Sequence, residues 1–179
     1  MASRSAAGQP RLTLVLGGAR SGKSRYAQVL AMASPPPWVY VATAEPGDEE
    51  MRQRIAEHKA ARGKGWSTIE APIELAKAVS KADAKAPLVV DCLTLWLSNL
   101  MLGRHDVDQA LARFAKALEA RKGPAILVSN EVGGGIVPET PLGRDFRDRA
   151  GLINQHFALN AQHVVFMVAG LPMRLKPLP

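Results

Sequence analysis

The feature that most limits what this chain can become is a stretch of eight letters near its start. Gly17-Gly18-Ala19-Arg20-Ser21-Gly22-Lys23-Ser24 satisfies the pattern G-x-x-x-x-G-K-[ST]. Leu12 to Leu16 (LTLVL) precedes it as a short apolar strand, and a helical composition follows from Ser24 to Ala33. That context is what a phosphate-binding loop requires. The glycines let consecutive backbone amides turn inward around a phosphate. Lys23 brings a point charge to the β- and γ-phosphates, and the Ser24 hydroxyl suits Mg²⁺. The helix adds the positive end of its dipole. A plain glycine-rich surface turn is the competing reading.

The rest of the chain alternates in the same way. Trp38–Thr43 and Trp66–Glu70 read as strands, with a helix from about Glu49 to Arg62 between them. Asp48 is a plausible N-cap for that helix, and Gly63-Lys64-Gly65 ends it. Pro72 is placed as the first residue of a helix reaching Ala82. Leu88–Asp91 is a strand ending in a carboxylate. Leu93–Leu102 and Val107–Arg121 are helices, and Ala125–Ser129 is a buried strand. Gly133–Gly135 precede a helix over Leu142–Asn160. His163–Ala169 is the last major strand, with a short one at Met173–Lys176. Short apolar strands alternating with helices predict an α/β fold, a parallel sheet covered on both faces.

Length and composition bound the rest. The 179 residues suit one domain, read as a loose tail over residues 1–10 and a nucleotide-binding catalytic domain over 11–179. One cysteine, Cys92, excludes an internal disulfide and a Cys-rich zinc site. The longest clean apolar stretch, Val164–Leu171, falls short of the ~20 residues that cross a bilayer. With no secretory signal in Met1–Pro10, a cytoplasmic protein without membrane insertion is expected. The net charge of +7 calls for an anionic partner or a basic surface. Scattered cations and 5% aromatics argue against nucleic acid as that partner.

A second carboxylate at a neighbouring strand end usually holds the metal in such proteins, and Asp91 fits that place. Its competing reading is a cap for the helix starting at Leu93. Glu131 is a weaker candidate at another strand end. In Met51–Lys59, residues 51, 55, 58 and 62 share a helical face, so His58 points with Met51 and Ile55 toward the body of the protein. It is either a half-buried core histidine or a nucleophile, because a neutral imidazole can attack an α-phosphate. Lys59, Arg62 and Lys64 lie close in sequence and suit phosphates. His105, His156 and His163 read as surface or structural. The absence of N-K-x-D removes the usual guanine reader of switch GTPases, and the single small domain disfavours a motor or helicase. The Gly133–Gly135 loop reads either as plain flexible chain or as a ligand loop at the sheet's carboxyl edge. Arg144, Arg147 and Arg149 face a phosphate, a neighbouring subunit or solvent.

From Leu12 to Lys176 the chain resembles the bifunctional adenosylcobinamide kinase / adenosylcobinamide-phosphate guanylyltransferase family of cobalamin biosynthesis. The segments that carry the resemblance are GGARSGKS (Gly17–Ser24), VATAEPGDEEMRQRIAEHK (Val41–Lys59), WSTIEAP (Trp66–Pro72), VVDCLTLWLSNL (Val89–Leu100) and SNEVGGGIVPETPLGRDFRDRAGLINQ (Ser129–Gln155). The resemblance implies a RecA-like P-loop fold and a homo-oligomer, a trimer or a dimer of trimers. It implies phosphorylation of adenosylcobinamide by ATP or GTP with Mg²⁺. GMP then passes from GTP to adenosylcobinamide phosphate through a histidine, a role that falls on His58. Guanine and ribose contacts are implied for Ala44-Glu45-Pro46, for Arg62 to Gly65 and for Glu70. A monofunctional small-molecule kinase and a GTP-dependent regulatory module are the alternatives.

Overall fold

The computed structural model describes residues 10–45, 47, 49, 52–53, 59–60 and 62–177. The tail expected over Met1–Pro10 lies outside them except for Pro10, as do the Asp48 cap, Pro46 and His58. Seven strands form one sheet in the order β3-β2-β4-β5-β1-β6-β7. They are β1 (Leu12–Gly17), β2 (Trp38–Ala42), β3 (Trp66–Glu70), β4 (Leu88–Asp91), β5 (Ala125–Val128), β6 (His163–Val168) and β7 (Leu171–Lys176). All neighbours pair parallel except β6 and β7, which form an antiparallel hairpin at one edge. The helices are α1 (Lys23–Ala31), α2 (Leu75–Lys81), α3 (Leu93–Leu102), α4 (Val107–Glu119) and α5 (Pro141–Asn160). Glu49, Arg52, Gln53, Lys59 and Ala60 are also helical, between β2 and β3.

The sheet is buried on both faces, which is why its inner strands read as unbroken apolar runs rather than alternating ones. Leu14, Val41, Leu88, Val90 and Leu127 point to one face, where Leu75, Leu93, Trp96, Phe114 and Phe157 of α2–α5 cover them. Val15, Tyr40, Val89, Ile126 and Val165 point to the other, against Ala27 and Ala31 of α1. Trp96, Phe114 and Phe157 form a chain of rings through the larger layer, tilted at the first step and edge-on at the second, with centroids 5.5 Å apart at each. The mostly parallel α/β sheet expected from the sequence is therefore the fold.

Several expected helix bounds shift, among them Ala33 to Ala31 and Leu142 to Pro141, and two shift for a visible reason. The helix assigned to start at Pro72 begins at Leu75. The carbonyls that would open it are engaged by α3: Asn99 Nδ2 donates to Pro72 O (3.1 Å) and Trp96 Nε1 donates to Ile73 O (2.8 Å). The helix expected to reach Arg121 ends at Glu119. Arg121 turns inward instead, and its guanidinium donates to the carbonyls of Val79, Asp83 and Ala86 around the end of α2.

Candidate active site

In a parallel sheet the loops that bind ligands leave the carboxyl ends of the strands. Registry here places Ala42, Glu70, Asp91 and Val128 in one row across β2, β3, β4 and β5. The phosphate-binding loop leaves β1 at the same edge, since Val15 pairs with Val128. One strand, β5, separates the loop strand β1 from the Asp91 strand β4.

The loop has the backbone that its sequence demands. Gly17 and Gly22 have φ of 148° and 91°, and Arg20 is also left-handed at 52°. A Cβ on Gly17 would lie 2.6 Å from the Met167 carbonyl oxygen and 2.7 Å from Ser21 Oγ, so only glycine fits. Lys23 is buried, and its ammonium donates to Gly18 O at 2.6 Å and reaches Ser21 Oγ at 3.5 Å. The charge is thus folded over the middle of the loop. Gly22 caps α1 without a side-chain bond, in contrast to Asp106 on α4 and Thr140 on α5. A helix N-terminus following such a loop suits an anion. From the β6–β7 turn, Gly170 N donates to Ser21 O (3.1 Å) and braces the loop from its far side.

Asp91 does not cap the helix that follows it. Cys92 occupies the cap position of α3, with no side-chain capping bond. Asp91 Oδ2 instead accepts a hydrogen bond from the Tyr40 hydroxyl at 2.7 Å. Burial and the neighbouring Asp91 carboxylate push the Tyr40 phenol far above its usual range, so it stays a donor. Arg62 stacks its guanidinium on the outer face of Tyr40, 3.9 Å from the ring centroid, and donates to Thr68 Oγ1 (3.3 Å). Trp66 meets Tyr40 edge-on, with centroids 6.2 Å apart. Gly65, at φ 97°, closes against Trp38, where a Cβ would sit 2.9 Å from the ring. Arg62 is therefore seated on Tyr40 beside the Asp91 strand end, whereas Gly65, whose carbonyl accepts from Trp38 N (2.9 Å), lies at the amino ends of β2 and β3, the opposite edge of the sheet. Glu70, Ala44 and Glu45 lie at the edge of Asp91, Glu70 and Glu45 exposed; Lys59, Gly63 and Lys64 are exposed in the connection between β2 and β3.

A polar layer that sequence reasoning missed underlies these groups. Thr43 Oγ1 accepts from Cys92 N (2.7 Å) and donates to Cys92 O (2.8 Å). Cys92 Sγ and Thr94 Oγ1 are 3.1 Å apart. Asn130 Nδ2 donates to Thr94 Oγ1 (2.8 Å), and Asn154 Nδ2 donates to Asn130 O (3.2 Å). The layer ties the ends of β2, β4 and β5 to α5. The signal was present as polar letters immediately after apolar strands, in Val41-Ala42-Thr43 and Leu127-Val128-Ser129-Asn130. Burial raises the Cys92 thiol above its usual range, with the adjacent Asp91 adding to the effect.

Several sequence candidates resolve into ordinary roles. One Glu131 carboxylate oxygen accepts from Gly133 N (2.6 Å), closing the glycine loop, while Glu131 N donates to Gly17 O (3.1 Å). Arg147 and Arg149 pair with Asp148 and Asp145 at 3.2 and 2.9 Å, and Arg144 holds the carbonyls of Pro138 and Glu139. His163 pairs with Thr13 at the amino ends of the strands, and His156 packs edge-on to Phe157. Ser24 and Asp91 offer a hydroxyl and a carboxylate, the hard oxygen donors that Mg²⁺ takes alongside nucleotide phosphates. No group of His, Cys, Asp and Glu among the described residues would hold a metal by protein ligands alone. No described helix is long and apolar enough to cross a membrane.

Loop, lysine, helix N-terminus and strand-end carboxylate define a P-loop nucleotide-binding protein of the α/β class. Solved structures agree on the fold. The flagellar accessory protein FlaH of Methanocaldococcus jannaschii superposes with a TM-score of 0.54 at 17% identity, covering 96% of this chain and 81% of that one. An ATPase from the type III secretion system of pathogenic bacteria gives 0.53 at 12% identity, covering 92% of this chain and 56% of that one. At family level the match runs nearly end to end. The chain belongs to the cobinamide kinase / cobinamide phosphate guanyltransferase family, CobU, whose model matches residues 13–175. It is 48% identical to the bifunctional adenosylcobalamin biosynthesis protein CobP of Pseudomonas aeruginosa, over 93% of this chain and 98% of that protein. It is 38% identical to the corresponding CobU protein of Salmonella typhimurium, over 92% and 99%. The resemblance read from the motifs is thereby borne out.

Proposed function

We propose that this chain carries out two successive transfers on adenosylcobinamide. In the first, the terminal phosphoryl group of ATP or GTP passes to the aminopropanol hydroxyl. In the second, GMP passes from GTP to the new phosphate, giving adenosylcobinamide-GDP and pyrophosphate. The observation that carries this reading is the pairing of a complete phosphate loop with Asp91 across β5, in a chain of this family over residues 13–175.

In the first transfer the protein positions and neutralises rather than reacts. Gly17 to Ser24 cradle the phosphates through backbone amides, and the Lys23 ammonium leaves Gly18 O for a phosphate oxygen. Ser24 and Asp91 would hold Mg²⁺, which supplies charge neutralisation when bound. Tyr40 keeps one Asp91 oxygen occupied and so orients the other.

In the second transfer the His58 imidazole nitrogen attacks the α-phosphorus of GTP. An N–P bond forms, the bond to the bridging oxygen breaks, and pyrophosphate leaves with that electron pair. A phosphate oxygen of adenosylcobinamide phosphate then attacks the same phosphorus and the N–P bond breaks, restoring the histidine. Arg62, Lys59 and Lys64 supply positive charge, Glu70 an acceptor for guanine N–H groups, and Ala44 to Pro46 with Gly63 the surrounding contacts. We place the assembly as a homotrimer or a dimer of trimers acting in the cytoplasm.

The test is release of pyrophosphate and of nucleoside diphosphate from GTP by the purified protein, with no corrinoid, with adenosylcobinamide and with adenosylcobinamide phosphate. About one equivalent of pyrophosphate per site is expected without the corrinoid, from guanylylation of the histidine, and continued release only with it. Turnover to nucleoside diphosphate without pyrophosphate would instead assign a monofunctional kinase, and slow hydrolysis indifferent to corrinoid a regulatory module.

A further inference from the structure

The strand order sets the side from which an acceptor must come. On the reading just given, Lys23 and Asp91 mark the reacting end of the triphosphate. Asp91 stands two strands from the loop strand with β5 between, so that end faces β5 rather than β6 and β7. The segment leaving β5 therefore borders the space in which the acceptor hydroxyl has to sit.

That segment is pinned at both ends and bare in the middle. At its start, Ser129 N donates to Val15 O (3.0 Å), Glu131 N to Gly17 O (3.1 Å) and Gly133 N to the Glu131 carboxylate (2.6 Å). At its end, Arg144 donates to Pro138 O (3.1 Å) and Glu139 O (2.7 Å), and Thr140 Oγ1 accepts from Gly143 N (3.1 Å). Between the anchors, Gly134 and Gly135 have open space where a side chain would stand. Ile136 and Val137 follow, 98% and 55% exposed. Lone exposed apolar residues carry no message. These two are adjacent, β-branched and therefore stiff, and held on a tethered loop whose base is bonded to the phosphate loop itself.

We propose that Ile136 and Val137 form an apolar platform for the corrin ring of the acceptor, on the same reading of the site. A corrin has broad hydrocarbon faces and peripheral amides. The two side chains would meet a face, while the bare backbone of Gly134 and Gly135 admits the amides to hydrogen-bonding distance. The platform holds the bulk of the acceptor so that its distant hydroxyl reaches the phosphoryl group, binding energy used for positioning.

The test compares wild type with Ile136→Ser/Val137→Ser and with the apolar control Ile136→Leu/Val137→Leu. Steady-state kinase rates are measured with adenosylcobinamide and with nucleotide varied in turn, and the mass of each protein is measured by light scattering. Burial of one aliphatic side chain corresponds to roughly tenfold or more in affinity. The serine variant is expected to raise KM for adenosylcobinamide about tenfold, with KM for nucleotide and the oligomeric mass unchanged, and the leucine variant to restore the wild-type value. An unchanged corrinoid KM overturns the platform. So does a fall in oligomeric mass, which would assign the pair to a contact between copies of the chain, or a parallel rise in both KM values, which would assign it to loop structure. Wild type that fails to phosphorylate adenosylcobinamide would instead overturn the functional reading beneath it.

Discussion

Tyr40 on β2 donates its phenolic hydrogen to Asp91 Oδ2 on the adjacent strand β4, at 2.7 Å, and carries Arg62 on its ring face. One aromatic side chain thus fixes the strand-end carboxylate and seats a cation from the connection between β2 and β3.

Removing that hydroxyl should be felt in the pH profile of stability. The folded state holds the Tyr40 proton far above the usual phenol range, so above pH ~10 the unfolded chain binds fewer protons than the native one. Stability from this group is complete below that pH and is lost as pH rises further. Chemical denaturation between pH 8 and 11 should show a steeper alkaline decline for wild type than for Tyr40→Phe. Parallel curves would show that the phenol is not held protonated by the fold. The same variant frees an Asp91 oxygen and is expected to lower kcat by about tenfold, the lower range for loss of a hydrogen bond that orients a metal-holding group.

Lys23 should dominate phosphoryl transfer. It is the buried cation of the phosphate loop, and its ammonium is already bonded to Gly18 O. Lys23→Ala is expected to reduce the kinase rate by about 10²–10³-fold, as for loss of one preorganised donor at a developing charge. Circular dichroism melting checks that the fold survives.

Arg121 is predicted to be structural and costly to lose. Its guanidinium is spent on the carbonyls of Val79, Asp83 and Ala86 beneath the sheet's amino edge, far from the site. Arg121→Ala leaves those carbonyls without their donor, at about 1–3 kcal/mol for each group left buried and unsatisfied. Urea denaturation should report a loss of ~3 kcal/mol or more, with kcat unchanged in protein that remains folded.

Cys92 should be inert in the native protein. It is buried and its thiol is pushed upward, so the thiolate that reacts is scarce. A thiol reagent at pH 8 is expected to label it only at the rate of unfolding, and fast labelling would contradict the burial.

Much of this was legible in the letters because local and global demands coincide. GGARSGKS can do little but wrap an anion, and Leu88–Asp91 and Trp66–Glu70 fall on strands with the bounds that their apolar runs mark. Legibility failed where a long-range partner overrides a local preference. Pro72 looks like a helix start until Asn99 and Trp96 claim the carbonyls beside it. Arg121 reads as a last helical turn until the carbonyls around α2 draw it in. The polar letters after the strands marked Thr43 and Asn130, but their joining with Thr94 and Asn154 into one layer was hidden for the same reason, since those residues come from separate elements and meet only through the sheet. His58, which spacing leaves between core residue and nucleophile, lies outside the described residues.

The most direct test of the two-transfer account is therefore chemical. Wild type and His58→Ala are incubated with GTP labelled in the α-phosphate, then denatured and split into acid- and base-treated portions. The account predicts label on wild type that acid removes and base spares, as a phosphoramidate requires, and none on the variant. Label retained at an equal level on His58→Ala would contradict it.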